Sequence, residues 1–219
     1  DDVYGDKKVD YSLVVSKINT KTNYDPYTHT EDTDMNMKNS ILVNKYYHLA
    51  SDYAPDDIVE MSNWYSYPGN RIREEVYNAF IEMFNAAKED GITLIVNSSY
   101  RTHDEQEEIY NDYESSQGKA YADKYAARPD YSEHQTGLAL DIFTPGAGMA
   151  NFEETDAFRW LQENSYKYGF ILRYPEGKED ITGYNYEAWH YRFLGKDLAK
   201  KVYNSGLTYD EYYAYYLEK

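Results

Sequence analysis

The sequence of 219 residues contains no cysteine, so disulfide bonds and thiolate chemistry are excluded. Any metal ion must therefore be held by histidine, aspartate or glutamate. Long apolar runs are missing as well. The longest candidates, Ile92–Val96 and Leu138–Phe143, have the length of strands, whereas a membrane-spanning helix needs roughly 18 apolar residues. The sequence as it stands is predicted to be soluble.

Positive charge is scarce in this chain. It has 22 lysines and arginines against 39 aspartates and glutamates, which gives a formal net charge of −17. A nucleic-acid-binding surface needs a concentration of basic residues, so the composition predicts no nucleic-acid partner. The carboxylates fit a well-solvated surface. Together with the five histidines, they also make a site for a divalent cation easy to assemble.

The length predicts one domain with one sizeable core. Residues 1–40 are polar, with a short β-like piece at Tyr11–Val15 and no sustained periodicity. We expect them to form an extended arm or the remnant of a stalk. The folded domain is predicted to span residues 41–219.

Hydrophobic periodicity predicts a mixture of helices and strands. An amphipathic helix is expected over Arg71–Asp90, where Ile72, Val76 and Phe80 share one stripe and Gly91 is a plausible stop. Because the order lacks regular βαβ spacing, the predicted class is α+β. The remaining predictions are helices over 103–114, 119–126, 155–168, 196–205 and 208–217, strands over 92–96, 138–143, 170–174 and 186–194, and a polar loop over 175–183.

Two acidic and two histidine side chains stand out as candidates for metal chemistry. His134 precedes a glycine turn, and Asp141 follows on an apolar strand, where a buried carboxylate is costly unless a cation pairs with it. Glu187 and His190 are three residues apart, so on a regular strand they would point to opposite faces. Both could reach one centre only if Glu187 lay at an irregular strand entry. Two histidines and an aspartate form a catalytic zinc set with one open position.

Each of these segments also has a plainer interpretation. Asp141 could face solvent beside a turn histidine, and Glu187 and His190 could be ordinary members of an aromatic-rich strand. His29, His48 and His103 have no comparable neighbours in the sequence, and we expect them to be structural or on the surface.

Arg101 is a candidate for anion binding. It ends a predicted strand and precedes a helix whose start is marked by a capping box of Thr102 and Glu105, with Gln106 inside the first turns. A guanidinium at such a position could bind a carboxylate in a bidentate manner or stabilise an oxyanion. The alternative is a surface arginine that pairs with one of the many carboxylates.

Taken together, these segments resemble a known family. The patterns are Ser132-x-His134-x-x-Gly137-x-Ala139-x-Asp141, Glu187-x-x-His190 and Ser99-Tyr100-Arg101-x-x-x-x-Gln106. In this order they are similar to the VanY-type D-alanyl-D-alanine carboxypeptidases and to the related L,D-carboxypeptidases of the LdcB type. The resemblance covers roughly residues 41–196.

The resemblance implies a small central antiparallel sheet flanked by helices, a fold shared with lysostaphin-type peptidases and hedgehog domains. It implies one Zn²⁺ per chain, with Glu187 as catalytic base and Arg101 as binder of the substrate or transition state. The implied zinc ligands are His134, Asp141 and His190, and the implied substrate-binding residues are Gln106, Ser132, Tyr174 and Tyr186.

The implied activity is release of the C-terminal D-alanine from peptidoglycan stem peptides. We favour L,D-carboxypeptidase activity, from tetrapeptide to tripeptide, in which acidic residues of the 175–183 loop would meet a cationic side chain of the substrate. The alternatives are a D,D-carboxypeptidase or D,D-dipeptidase, or a zinc-containing binding module without activity. Such an enzyme is expected to be a monomer that acts outside the cytoplasm at the bacterial cell envelope, with a membrane or lipid anchor before Asp1.

Overall fold

The computed structural model describes residues 10–218 and contains a four-stranded antiparallel sheet, whose strands lie in the spatial order 95–98, 139–143, 187–193 and 170–174. This mixture of helices and a small antiparallel sheet confirms the predicted α+β class. The strands are β1 (Glu31–Asp32), β2 (Tyr47–His48), β3 (Ile58–Glu60), β4 (Arg71–Arg73), β5 (Ile95–Ser98), β6 (Ala139–Phe143), β7 (Phe170–Tyr174) and β8 (Glu187–Phe193). The α-helices are α1 (Tyr11–Asn19), α2 (Glu74–Glu89), α3 (His103–Gln117), α4 (Lys119–Tyr125), α5 (Asp156–Asn164), α6 (Glu179–Thr182), α7 (Lys196–Ser205) and α8 (Tyr209–Tyr216).

Strand β6 lies in the interior of the sheet, and all five of its residues are buried. On the core side, Leu140 and Ile142 belong to the same hydrophobic cluster as Phe80 and Met83 of α2. Because apolar side chains fill this face, the polar side chain of Asp141 between them points to the opposite face of the strand. The sheet therefore presents a single carboxylate from its central strand.

The strand register brings the candidate residues of β6 and β8 together. Asp141 lies directly opposite His190 in the antiparallel pair. At the entry to β8, the pairing with β7 is irregular between Leu172 and Tyr174, and Tyr174 lies opposite Glu187. This is the irregular strand entry that Glu187 needs in order to share a centre with His190.

Some predicted boundaries are wrong. The helix predicted over Arg71–Asp90 begins only at Glu74, because residues 71–73 form β4 and pair with β3. The next strand is Ile95–Ser98 rather than Ile92–Val96, since the backbone N–H of Ile92 still bonds to the carbonyl of the preceding helix. The helix predicted over 155–168 divides into α5 and a 3-10 turn, and the 175–183 loop contains the single turn α6.

The β-like piece expected at Tyr11–Val15 is also wrong, because these residues belong to helix α1. The side chain of Asp10 caps this helix by accepting bonds from the backbone N–H groups of its first turn. In the middle of α1, Ser16 is buried and donates a hydrogen bond to Glu211 of α8 at 2.8 Å.

The division of the chain at residue 41 stays a prediction. Within residues 10–218, no helix is long and apolar enough to cross a membrane.

Candidate active site

The three predicted metal ligands converge on one point. His134 comes from a 3-10 turn before β6, Asp141 from β6 and His190 from β8, and all three are buried. Oδ1 of Asp141 lies 3.5 Å from Nε2 of His134 and 3.4 Å from Nδ1 of His190. One ligand atom from each residue lies within 4.8 Å of the others.

The two distances from Oδ1 of Asp141 fit a tetrahedral zinc ion. Metal–ligand bonds of about 2.0–2.1 Å in tetrahedral geometry place two ligand atoms about 3.3 Å apart. Oδ1 of Asp141 is buried and has no hydrogen-bond partner among residues 10–218, a costly state for a carboxylate that a cation would relieve. Two imidazoles and one carboxylate also leave the fourth position open.

Each histidine is held by the ring nitrogen that points away from the centre. Nδ1 of His134 lies 2.7 Å from the carbonyl oxygen of Ser99, and Nε2 of His190 lies 3.2 Å from Oε2 of Glu133. Both acceptors lack a proton to give, so each ring nitrogen must be the donor. The other nitrogens, Nε2 of His134 and Nδ1 of His190, face the centre beside Asp141, an arrangement typical of metal ligands.

The charges around the centre favour metal binding. Burial, with the nearby cation of Arg101, lowers the pKa of His134 to about 4, so the imidazole is neutral at pH 7 and has a lone pair to offer. Burial alone would raise the pKa of Asp141, but His134 and His190 outweigh it and hold that pKa below its usual range. Asp141 is thus an anion at pH 7, as a metal ligand must be.

Glu187 lies beside this centre without belonging to the group of three. One of its carboxylate oxygens is 3.4 Å from Nδ1 of His190, and its side chain is 22% exposed while the ligands are almost fully covered. A carboxylate that is adjacent to the metal position and open to the cavity can exchange a proton with a bound water molecule.

All nine residues named from the sequence line a single cavity of about 470 Å³. Besides the ligands and Glu187, they are Arg101, Gln106, Ser132, Tyr174 and Tyr186. Within residues 10–218, the other three histidines, His29, His48 and His103, do not line this cavity. His103, for example, bonds to Asp130 at 2.7 Å.

Two polar side chains have unsatisfied atoms at this cavity. Nε of Arg101 and Oε1 of Gln106 are buried and have no hydrogen-bond partner within residues 10–218. Nε2 of Gln106 donates to the carbonyl of Ala127 at 2.7 Å, which fixes the amide. Because unpaired buried polar atoms cost free energy, a polar ligand that satisfied them would gain binding energy.

The sequence interpretation missed two features of this site. Tyr113, Tyr121 and Tyr125 form a stacked row along one wall of the cavity, with ring centroids 6.0 and 4.3 Å apart. The four-residue spacing of the last two on a short helix was the available signal. Glu133 also went unnoticed, although it stands next to His134, because its partners are distant in the sequence.

The VanY D-alanyl-D-alanine carboxypeptidase family matches residues 69–196, more than half of the chain. A D-alanyl-D-alanine carboxypeptidase of Enterococcus faecalis (strain ATCC 700802 / V583) is 39% identical over 194 residues, which cover 84% of this chain and 69% of the relative.

The solved structures that resemble this chain are also peptidases of this kind. The LdcB LD-carboxypeptidase matches with a TM-score of 0.79 and 40% identity, over 85% of this chain and 90% of the other. A VanY D,D-pentapeptidase from a VanB-type resistance cassette, solved in complex with Zn(II), matches with a TM-score of 0.70 and 38% identity, over 80% of this chain and 98% of the other.

These matches confirm the predicted fold, the peptidase class and zinc as the cofactor, since a family member holds Zn(II) and the donor set here fits that ion. The family match over more than half the sequence agrees with the motifs around His134, Asp141 and His190. The chain therefore belongs to the VanY D-alanyl-D-alanine carboxypeptidase family.

Proposed function

We propose that this protein releases the C-terminal D-alanine from peptidoglycan stem peptides. The observation that carries the proposal is the convergence of a zinc ligand set, a partly exposed glutamate and an arginine with an unsatisfied nitrogen in one cavity. His134, Asp141 and His190 would hold the ion. When bound, Zn²⁺ supplies Lewis-acid chemistry that activates water and polarises a carbonyl group.

Glu187 acts as the catalytic base in this proposal. It accepts a proton from the water molecule that attacks the carbonyl carbon preceding the terminal D-alanine, and it then delivers that proton to the leaving amine. Its position supports this role, because its carboxylate lies 3.4 Å from a ligand nitrogen and is open to the cavity. A non-catalytic binding module would have no use for a base beside the metal.

Arg101, Gln106 and Ser132 would hold the terminal residue. The free Nε of Arg101 and the free Oε1 of Gln106 can bond to the carboxylate and to an N–H group of the substrate respectively. The hydroxyl of Ser132 accepts the backbone N–H of His134 at 3.3 Å, so its own proton remains available for a substrate oxygen. Tyr174 and Tyr186 complete the rim.

Among the possible bonds, we favour L,D cleavage of the tetrapeptide. The match to the LdcB LD-carboxypeptidase, with a TM-score of 0.79, supports this choice. D,D cleavage is the second candidate, since the matched D,D-pentapeptidase is 38% identical. The expected contact between acidic residues of the 175–183 loop and the substrate stays a prediction, and these residues do not themselves line the cavity. Glu176 lines a different cavity, of about 420 Å³, and Asp180 lies 3.4 Å from Lys17.

Mass spectrometry of defined stem peptides tests the choice of bond. Tetrapeptide and pentapeptide stems are incubated side by side with the zinc-loaded protein. Faster loss of one alanine from the tetrapeptide supports L,D cleavage, whereas release from the pentapeptide alone overturns it. A Glu187→Gln variant serves as the matched control, because contaminating peptidases would remain active in that preparation.

The substrate also determines where the protein would act. Peptidoglycan lies outside the cytoplasmic membrane, so we propose that the protein acts at the bacterial cell envelope. A membrane or lipid anchor before Asp1 and a monomeric state remain predictions of the sequence.

A further inference from the structure

Glu133 is a buried carboxylate directly behind a metal-ligand histidine. Its side chain is 0% exposed. Oε1 accepts hydrogen bonds from Nε of Arg173 at 2.7 Å and from Nη1 of Arg192 at 2.8 Å. Oε2 lies 3.2 Å from Nε2 of His190. The two oxygens therefore have separate tasks: one binds both arginines, and the other receives the imidazole.

The two arginines are themselves fixed by the surrounding fold. Arg173 of β7 makes a bidentate contact with Asp210 of α8, and Asp210 also accepts a bond from Asn44 at 2.8 Å. Arg192 of β8 donates to the backbone carbonyls of residues 39 and 41. Because every guanidinium nitrogen of both arginines makes a hydrogen bond, the carboxylate of Glu133 has little freedom to move.

Stability alone is a poor explanation for this cluster. Buried ion pairs often contribute no more stability than apolar side chains of the same volume, because desolvation offsets their attraction. A role toward His190 explains why one carboxylate oxygen is kept away from the arginines. A carboxylate that accepts the outer N–H of a ligand imidazole fixes its tautomer and ring orientation and makes the inner nitrogen a better donor.

We propose that Glu133 is a positioning residue for the metal centre. It holds the proton of His190 on Nε2, so that Nδ1 is free to bind the metal, and the Arg173–Asp210 pair holds Glu133 in turn. This inference rests on the proposed metal site. It makes His190 bind through Nδ1 and His134 through Nε2, with the outer nitrogens donating to Glu133 and Ser99.

The Glu133→Gln variant tests the proposal. The amide oxygen can still accept from both arginines, but the amide N–H₂ then faces Nε2 of His190. That contact is satisfied only if the ring proton moves to Nδ1, the atom that must bind the metal. We expect zinc affinity, measured by competition with a chromophoric chelator, to fall by about 10- to 100-fold. Glu211→Gln is the matched control, because it neutralises another buried carboxylate, which bonds to Ser16 and Thr208 and not to Glu133 or His190, and its zinc affinity should stay near that of the wild type.

A measurement on the wild-type protein keeps the proposal testable if the variant fails to fold. In ¹¹³Cd-loaded, ¹⁵N-labelled protein, one-bond coupling to cadmium should appear at Nδ1 of His190 and at Nε2 of His134. Coupling at Nε2 of His190, or unchanged zinc affinity in folded Glu133→Gln, overturns the positioning role. Equal losses of zinc affinity in Glu133→Gln and Glu211→Gln overturn it as well. A wild-type protein that binds no zinc would instead refute the proposed function.

Discussion

Glu187 and His190 illustrate at the residue scale how a local irregularity creates chemistry. Regular strand alternation would direct them to opposite faces, yet their side chains meet at 3.4 Å. The irregular pairing at the start of β8 is what permits this. The sequence could predict that such an irregularity was required, because the two residues had to share a centre. It could not supply the strand register.

Replacing Glu187 with glutamine should separate catalysis from metal binding. The variant keeps the three ligands, so it should bind zinc as the wild type does. Its kcat should fall by about 10²- to 10⁴-fold, the usual contribution of a general base. Glu163→Gln, a change at an exposed residue of α5 that does not line the cavity, is the control and should leave kcat intact. Near wild-type turnover in Glu187→Gln would show that the base is another group.

Replacing Arg101 with alanine should weaken substrate binding. A lost hydrogen bond to a charged group costs about 1.5–3 kcal/mol, which corresponds to a roughly 10- to 150-fold fall in kcat/KM. If Arg101 holds the substrate carboxylate in ground and transition states alike, the change appears in KM. If it stabilises the oxyanion, kcat falls instead. Arg71→Ala, which removes a surface pair with Glu105, is the control. Unchanged kinetics in Arg101→Ala would remove this residue from the site.

At the scale of single elements, the sequence predicts those that carry their own local signals. The capping box of Thr102 and Glu105 begins α3 as expected, and β7 and α7 have the predicted bounds. The strand β4 was missed because Ile72 also fits the helical stripe of α2, and only its pairing with β3 makes it a strand. Local sequence patterns do not reveal hydrogen bonds to a strand that is distant in the sequence.

The turn that presents His134 depends on Gly137. This residue has φ +65°, and a Cβ added to it would lie 2.7 Å from Cγ of Arg73. Gly137→Ala should therefore destabilise the fold by about 1–2 kcal/mol for the left-handed backbone and by about 1–3 kcal/mol more for crowding. Gly206 has a similar φ of +68° with open space around it, so Gly206→Ala should show only the cost of the left-handed backbone. Urea denaturation at a fixed zinc concentration measures the free energy of unfolding of both variants. An equal decrease in the two variants would contradict the crowding argument.

At the scale of the whole molecule, the cavity is assembled from parts that are far apart in the sequence. Arg101 and Gln106 come from the start of α3, the ligands from β6, β8 and the turn between β5 and β6, and Tyr186 from the approach to β8. The motifs identified these residues because each has a chemically distinctive type and spacing. The supporting network of Glu133, Arg173 and Asp210 was not predictable, because charged residues in a sequence do not reveal which partners the fold will give them.

In the proposed function, one zinc ion at His134, Asp141 and His190 makes this protein a D-alanine-releasing peptidase. The most direct measurement is a zinc titration of chelated protein, with D-alanine release from a stem peptide as the readout. We expect no release without metal, and a rate that rises in proportion to added zinc and levels off at about one equivalent per chain. Full activity after chelation, or a protein that binds no zinc, would contradict the account.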